Sequence, residues 1–134
     1  MRSATARRRG GYEHEVEIRE HRLIVDETEE KGGGDQGPTP TELLAASLAT
    51  CTAITIEMYA NRKEWELGGV EVQADFTHGT PDTPPRFKVE IRIPADLNDE
   101  QRERIRVIAH KCPVHRTLMA SDVEIDDSLE LVEA

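Results

Sequence analysis

Residues 39–61, TPTELLAASLATCTAITIEMYAN, decide the fold. Thr39 to Glu42 have the form of a helix start. A hydroxyl stands at the cap, proline takes the first helical position, and a carboxylate lies three residues past the cap. The pattern predicts one helix from Pro40 to about Asn61. Its apolar residues Leu43, Leu44, Ala46, Leu48, Ile54, Ile56 and Met58 cannot share one stripe, so the helix is expected to be buried on nearly all sides. A chain of 134 residues has little material to surround such a helix. That favours an oligomer in which subunits share it.

Outward from this helix, strands flank it on both sides. Residues 12–19, YEHEVEIR, and 22–27, RLIVDE, read as two strands joined by a tight turn near Glu20-His21. EKGGGDQGPTP then forms a glycine-rich connection to the helix. Residues 69–77, GVEVQADFT, and 85–93, PRFKVEIRI, alternate polar and apolar and read as two more strands, with a proline-rich loop between them. Asn98 caps a second helix with Gln101 in the reciprocal position. Ile105, Ile108 and Cys112 share one face of it. Pro113 cannot donate a backbone hydrogen bond, so this helix breaks or kinks at the cysteine. Residues 122–132, DVEIDDSLELV, read as a last strand. The expected order is ββαββαβ: an α+β fold with antiparallel sheet and two central helices.

One domain is expected over residues 12–134, preceded by a flexible basic tail over 1–11, MRSATARRRGG. The tail has no apolar core and is not read as a secretory signal. A formal net charge of −10 argues against nucleic acid and against an anionic membrane surface. No uninterrupted apolar stretch of transmembrane length is read in the chain. There are only two cysteines, and a reducing cytoplasm is the expected setting. There a cysteine pair serves catalysis or metal binding more often than structure. No phosphate-cradling or dinucleotide motif is present, and no cofactor is expected. His110, Cys112 and His115 form too small a set for a closed zinc site, so no metal is expected either.

Cys51 and Cys112 therefore carry the chemical question. Two thiols on two helices can be a redox pair, or they can be inert small core residues. An ordinary thiol is a poor nucleophile at neutral pH and needs a cation or hydrogen-bond donors beside it. Peroxide cleavage needs a thiolate, a donor for the leaving alkoxide, and a second thiol to resolve the sulfenic acid. An arginine is both cation and forked donor, and a carboxylate can hold it in place. A two-cysteine peroxidase should thus gather Cys, Cys, Arg and Glu in one pocket.

GPTPTELLAASLATCTAI resembles the first-cysteine helix of the OsmC/Ohr superfamily, and KCPVHRTL resembles its second-cysteine segment. The resemblance spans roughly residues 12–132. It implies a thiol-dependent peroxidase of the stress-response, antioxidant type that reduces organic hydroperoxides as an intertwined homodimer. It also implies a peroxidatic role for Cys51, a resolving role for Cys112, and Glu42 as the carboxylate that positions an arginine. Arg19 occupies the position of that arginine, with Arg22 the runner-up. The implied reductant is a small dithiol of lipoyl type. Two alternatives stand beside this reading: a catalytically silent dimer and a thiol-based redox sensor. Geometry adds a condition on Glu42. Nine residues of helix turn about 900° and rise about 13 Å, so one continuous helix cannot bring Glu42 to its own Cys51. Either Glu42 serves a pocket of the partner subunit, or the first turn is distorted.

Overall fold

The computed structural model describes residues 2–133; Met1 and Ala134, the outer ends of the expected tail and domain, lie outside the described residues. Three strands come first: β1 (Thr5–Gly10), β2 (Glu13–Ile18) and β3 (His21–Val25). They form one antiparallel sheet in the order β1-β2-β3. The long helix α1 (Pro40–Arg62) follows, then the antiparallel hairpin β4 (Glu71–Thr77) and β5 (Arg86–Arg92). Two shorter helices complete the order, α2 (Asp99–Ala109) and α3 (Pro113–Met119). The fold is α+β with antiparallel strands.

Four differences from the sequence expectation have physical causes. The basic stretch expected as a flexible tail contains β1, which pairs Arg7 with Glu15 and Thr5 with Glu17. The Arg9 guanidinium reaches Glu13 at 3.4 Å and Glu15 at 4.0 Å. Cross-strand charge pairing makes this strand, so hydropathy alternation does not reveal it. Residues 122–132 take no regular secondary structure, and Val123, Ile125, Leu129, Leu131 and Val132 are 55–89% exposed. The segment pairs with none of the strands among the described residues, although both small sheets leave edges open. The third difference is in α1, which leaves Leu44, Ile54 and Met58 exposed. The fourth concerns its composition. α1 is long and apolar enough to cross a membrane, with a mean hydropathy of 1.5 over 18 residues, contrary to the sequence reading. Within the chain it is only partly covered: Leu48, Thr52, Ile56, Tyr59 and Ala60 are buried where it packs on β4, α2 and α3.

The core gathers at the C-terminal half of α1. Ile56 and Ala60 meet Ile105 and Ala109 of α2 and Leu67 of the following loop, with Trp65, Ile91 and Leu97 closing the edges. Tyr59 is anchored there by the Arg104 Nε–H, which donates to its hydroxyl at 2.9 Å. The β1-β2-β3 sheet stands apart from this core and is tied to α1 through the glycine-rich loop.

That loop is wound around Asp26, a buried side chain. Its carboxylate accepts the Glu27 N–H at 2.7 Å and the Gln36 N–H at 3.2 Å. The Asp26 N–H in turn donates to the Pro38 carbonyl at 3.1 Å. Two glycines are required by close backbone approach. A Cβ on Gly33 would lie 2.1 Å from the Glu27 carbonyl oxygen, and one on Gly37 would lie 2.1 Å from that of Ile24. The loop thereby fixes where α1 begins.

Candidate functional site

Each cysteine is placed by a helix terminus or a helix face. Cys51 sits midway along α1 and is half-buried. Cys112 is fully buried at the junction where α2 ends and α3 begins. The break predicted at Pro113 is present: α2 stops at Ala109, and Cys112 caps α3 with proline at the first position. The Cys112 Sγ accepts the His115 N–H at 3.4 Å. The same junction packs against α1, and Cys51 lies near enough to Cys112 to raise its thiol pKa. Both cysteines are free thiols.

Electrostatics differ from what a primed nucleophile needs at Cys112. Burial pushes its thiol pKa up, and neighbouring Cys51 pushes it further. The His115 and Val114 N–H groups pull the other way without overcoming burial. Cys112 therefore remains a protonated thiol at neutral pH.

The other sequence candidates lie elsewhere in the chain. Glu42 belongs to a complete capping box: its Oε1 accepts the Thr39 N–H at 2.8 Å, and the Thr39 hydroxyl accepts the Glu42 N–H at 3.2 Å. It borders a cavity of about 440 Å³ that also touches Ala46, Asp75, Phe76 and His78 and includes neither cysteine. α1 is continuous from Pro40, so the first turn is not distorted and Glu42 does not meet Cys51 of its own chain. Arg19 sits in the β2–β3 turn with φ 54°, 66% exposed and 3.7 Å from Glu20. Arg22 pairs with Glu15 and, at 3.0 Å, with Glu17 across the sheet. No hydrogen bond or ion pair joins either arginine to the thiols among the described residues. Arg22 lowers the Glu15 pKa, chiefly by its hydrogen bond, which shows where its charge is spent.

Two features escaped the sequence reading. Asp26, inside the stretch read as the second strand, organises the glycine loop. His110 and His115 stack at 5.0 Å, 14° from parallel, around the Cys112 junction. Their five-residue spacing across a helix break gives no periodic sign of that pairing. Among the described residues no group of three or more His, Cys, Asp or Glu side chains is placed to hold a metal ion.

Comparison with known proteins supplies the family. The model of OsmC-like protein matches residues 32–126, which include both cysteines and the loop before α1. No curated protein matches the chain in sequence. Among solved structures, an organic hydroperoxide resistance protein OsmC from Legionella pneumophila is similar at 26% identity and TM-score 0.67, over 89% of both chains. An OsmC-like protein from Mycoplasma pneumoniae shares the fold at TM-score 0.72 and 18% identity, over 90% of this chain and 89% of that one. The organic hydroperoxide resistance protein OhrB of Bacillus subtilis does so at TM-score 0.62 and 21% identity, over 90% and 92%. With a family model spanning most of the chain, this protein belongs to the OsmC-like family.

Proposed function

We propose that the protein is a cytoplasmic thiol peroxidase that reduces organic hydroperoxides, with Cys51 as attacking thiol and Cys112 as resolving thiol. The observation that carries this reading is the packing of the Cys112 junction against α1, the helix of Cys51, with one thiol half-exposed and the other fully buried. The exposed member can meet a substrate, and the buried one is held in reserve. The Cys51 thiolate attacks the outer peroxide oxygen; the O–O bond breaks, the alkoxide takes up a proton and leaves as the alcohol, and Cys51 becomes a sulfenic acid. The Cys112 sulfur then displaces the hydroxyl, which leaves as water, and the disulfide forms. A dithiol reductant, by family resemblance a lipoyl-type one, returns both thiols and is itself oxidised to a disulfide.

The working unit in this reading is a homodimer. α1 exposes Leu44, Ile54 and Met58, and the C-terminal segment exposes five apolar residues, four of them at alternate positions. A second copy can cover both. It can also bring Glu42 and Arg19, or Arg22, to a thiol pair that their own chain does not let them reach. Arg19 is the first choice because its one ion pair is long and exposed, whereas Arg22 is held by two glutamates.

The test is recycled turnover: hydroperoxide consumed with excess dithiol, by wild type, Cys51→Ser and Arg19→Ala. The reading expects sustained turnover in wild type, none in Cys51→Ser, and a fall of about 10²-fold or more in Arg19→Ala. One observation favours a second reading, a redox-sensing or catalytically silent dimer: both arginines are paired to glutamates on the N-terminal sheet. Reversible oxidation without turnover would select the sensor; no oxidation would select the silent form.

A further inference from the structure

Where the C-terminus of α1 meets the start of α2 lies a cavity of about 660 Å³ that includes neither cysteine. Tyr59, Lys63 and Trp65 line it from the end of α1, and Asn98, Gln101 and Arg104 from the start of α2. The Tyr59 ring gathers positive charge. The Arg62 guanidinium lies 5.9 Å from its centroid, the Lys63 ammonium 5.8 Å and the Arg104 guanidinium 5.9 Å. None of the three takes part in an ion pair among the described residues, in a chain of formal net charge −10. The carboxylates that also line the cavity do not neutralise them. Glu103 pairs with Arg106 at 3.4 Å, and Glu100 takes part in no ion pair among the described residues. Like charges gathered in this way repel one another, and an anion between them relieves the repulsion.

The amide side chains at the start of α2 add donors. The capping box engages the side-chain oxygens of Asn98 and Gln101, at 2.8 and 3.1 Å, and leaves both amide NH2 groups without a partner among the described residues. Arg104 donates its Nε–H to the Tyr59 hydroxyl at 2.9 Å, which holds the guanidinium in place and keeps both Nη groups available. These donors outnumber what the two oxygens of a carboxylate need and match the three terminal oxygens of a phosphate monoester. Trp65, whose ring meets Tyr59 edge-on at 5.5 Å, adds an aromatic wall. The cavity is within the size range of small-molecule sites. We propose that it binds a nucleoside monophosphate, with the phosphate on Lys63 and Arg104 and the base against Trp65. Such binding does not depend on the peroxidase reading, since the cavity and the thiols are separate.

Trp65 is the chain's one tryptophan, so its fluorescence reports on this cavity. Full-length wild-type protein with reduced thiols is titrated with AMP, GMP, CMP and UMP, with the matching nucleosides, with ribose 5-phosphate and with inorganic phosphate; calorimetry supplies the affinities. At least one nucleotide is expected to change Trp65 emission saturably. It should bind at least about tenfold tighter than its nucleoside, ribose 5-phosphate or inorganic phosphate. Lys63→Gln should weaken that nucleotide severalfold. So should Arg104→Lys, which keeps the charge and loses the fork. Circular dichroism checks that each variant folds as wild type. Arg86→Gln, an exposed cation on β5, should bind the nucleotide as wild type does. No saturable binding of any nucleotide overturns the proposal, as does an affinity unchanged in both Lys63→Gln and Arg104→Lys. A nucleoside or ribose 5-phosphate that binds as tightly as the nucleotide overturns it too. Inorganic phosphate binding equally tightly would make the cavity a general anion site and would also overturn it.

Discussion

Asp26 and the glycines around it set the position of everything that follows in the chain. The carboxylate's pKa lies below the ordinary value, chiefly because the Glu27 N–H donates to it, with Gln36 and Gly34 adding smaller contributions. A lowered folded pKa means stabilisation that is fully present above the ordinary carboxylate range, near pH ~4, and is lost as pH falls through the lowered value. Asp26→Asn should therefore unfold more readily at neutral pH and show a flatter loss of stability below pH ~4, read from Tm against pH. Gly37→Ala tests the loop differently. Its Cβ would strike the Ile24 carbonyl, a backbone atom that cannot swing away. A loss of about 2 kcal/mol or more is expected in chemical denaturation. Residue identity alone announces this loop as glycine-rich. It does not announce that an aspartate ten residues before Gln36 holds it, because that bond is set by tertiary closure.

The helices were the most legible elements, since their start signals are local. Both capping boxes, at Thr39 with Glu42 and at Asn98 with Gln101, form as their spacing predicts. So does the break at Pro113. The strands were less legible where their cause is not hydropathy. β1 is accompanied by arginine–glutamate pairing, and residues 122–132 carry a strand pattern that pairs with none of the chain's own strands. The site was legible to the extent that it is local: each cysteine segment could be read, whereas the separation of Glu42 from Cys51 followed only from helix geometry. The arginine was not legible, because within the chain Arg19 and Arg22 pair with nearby glutamates and neither reaches the thiols. One element carries most of the core. Ile56 of α1 is fully buried against Leu67, Ile105 and Ala109. Ile56→Ala should cost about 2–5 kcal/mol in urea denaturation, by lost burial and the cavity left behind. Met58→Ala, one of the exposed positions of the same helix, should cost far less in a monomeric reference state.

At the scale of the molecule, a single chain leaves its long apolar helix half covered, its C-terminal apolar residues in solvent and its N-terminal sheet away from the core. Exposed apolar surface on this scale marks an association site. Sedimentation at micromolar concentration should give a mass near twice 15.1 kDa. Leu129→Lys combined with Leu131→Lys should shift it toward the monomer. If Glu42 acts across that interface, the same double variant should lower peroxidase turnover while leaving both thiols titratable.

The proposed function requires Cys51 and Cys112 to form one redox pair. Intact mass and free-thiol count, taken before and after one equivalent of cumene hydroperoxide, test it in wild type, Cys51→Ser and Cys112→Ser. The account predicts loss of both thiols with an intrachain disulfide in wild type, a sulfenic or further oxidised Cys51 in Cys112→Ser, and an unreacted Cys112 in Cys51→Ser. Both thiols remaining free in wild type would contradict it and leave the cysteines as residues of the core.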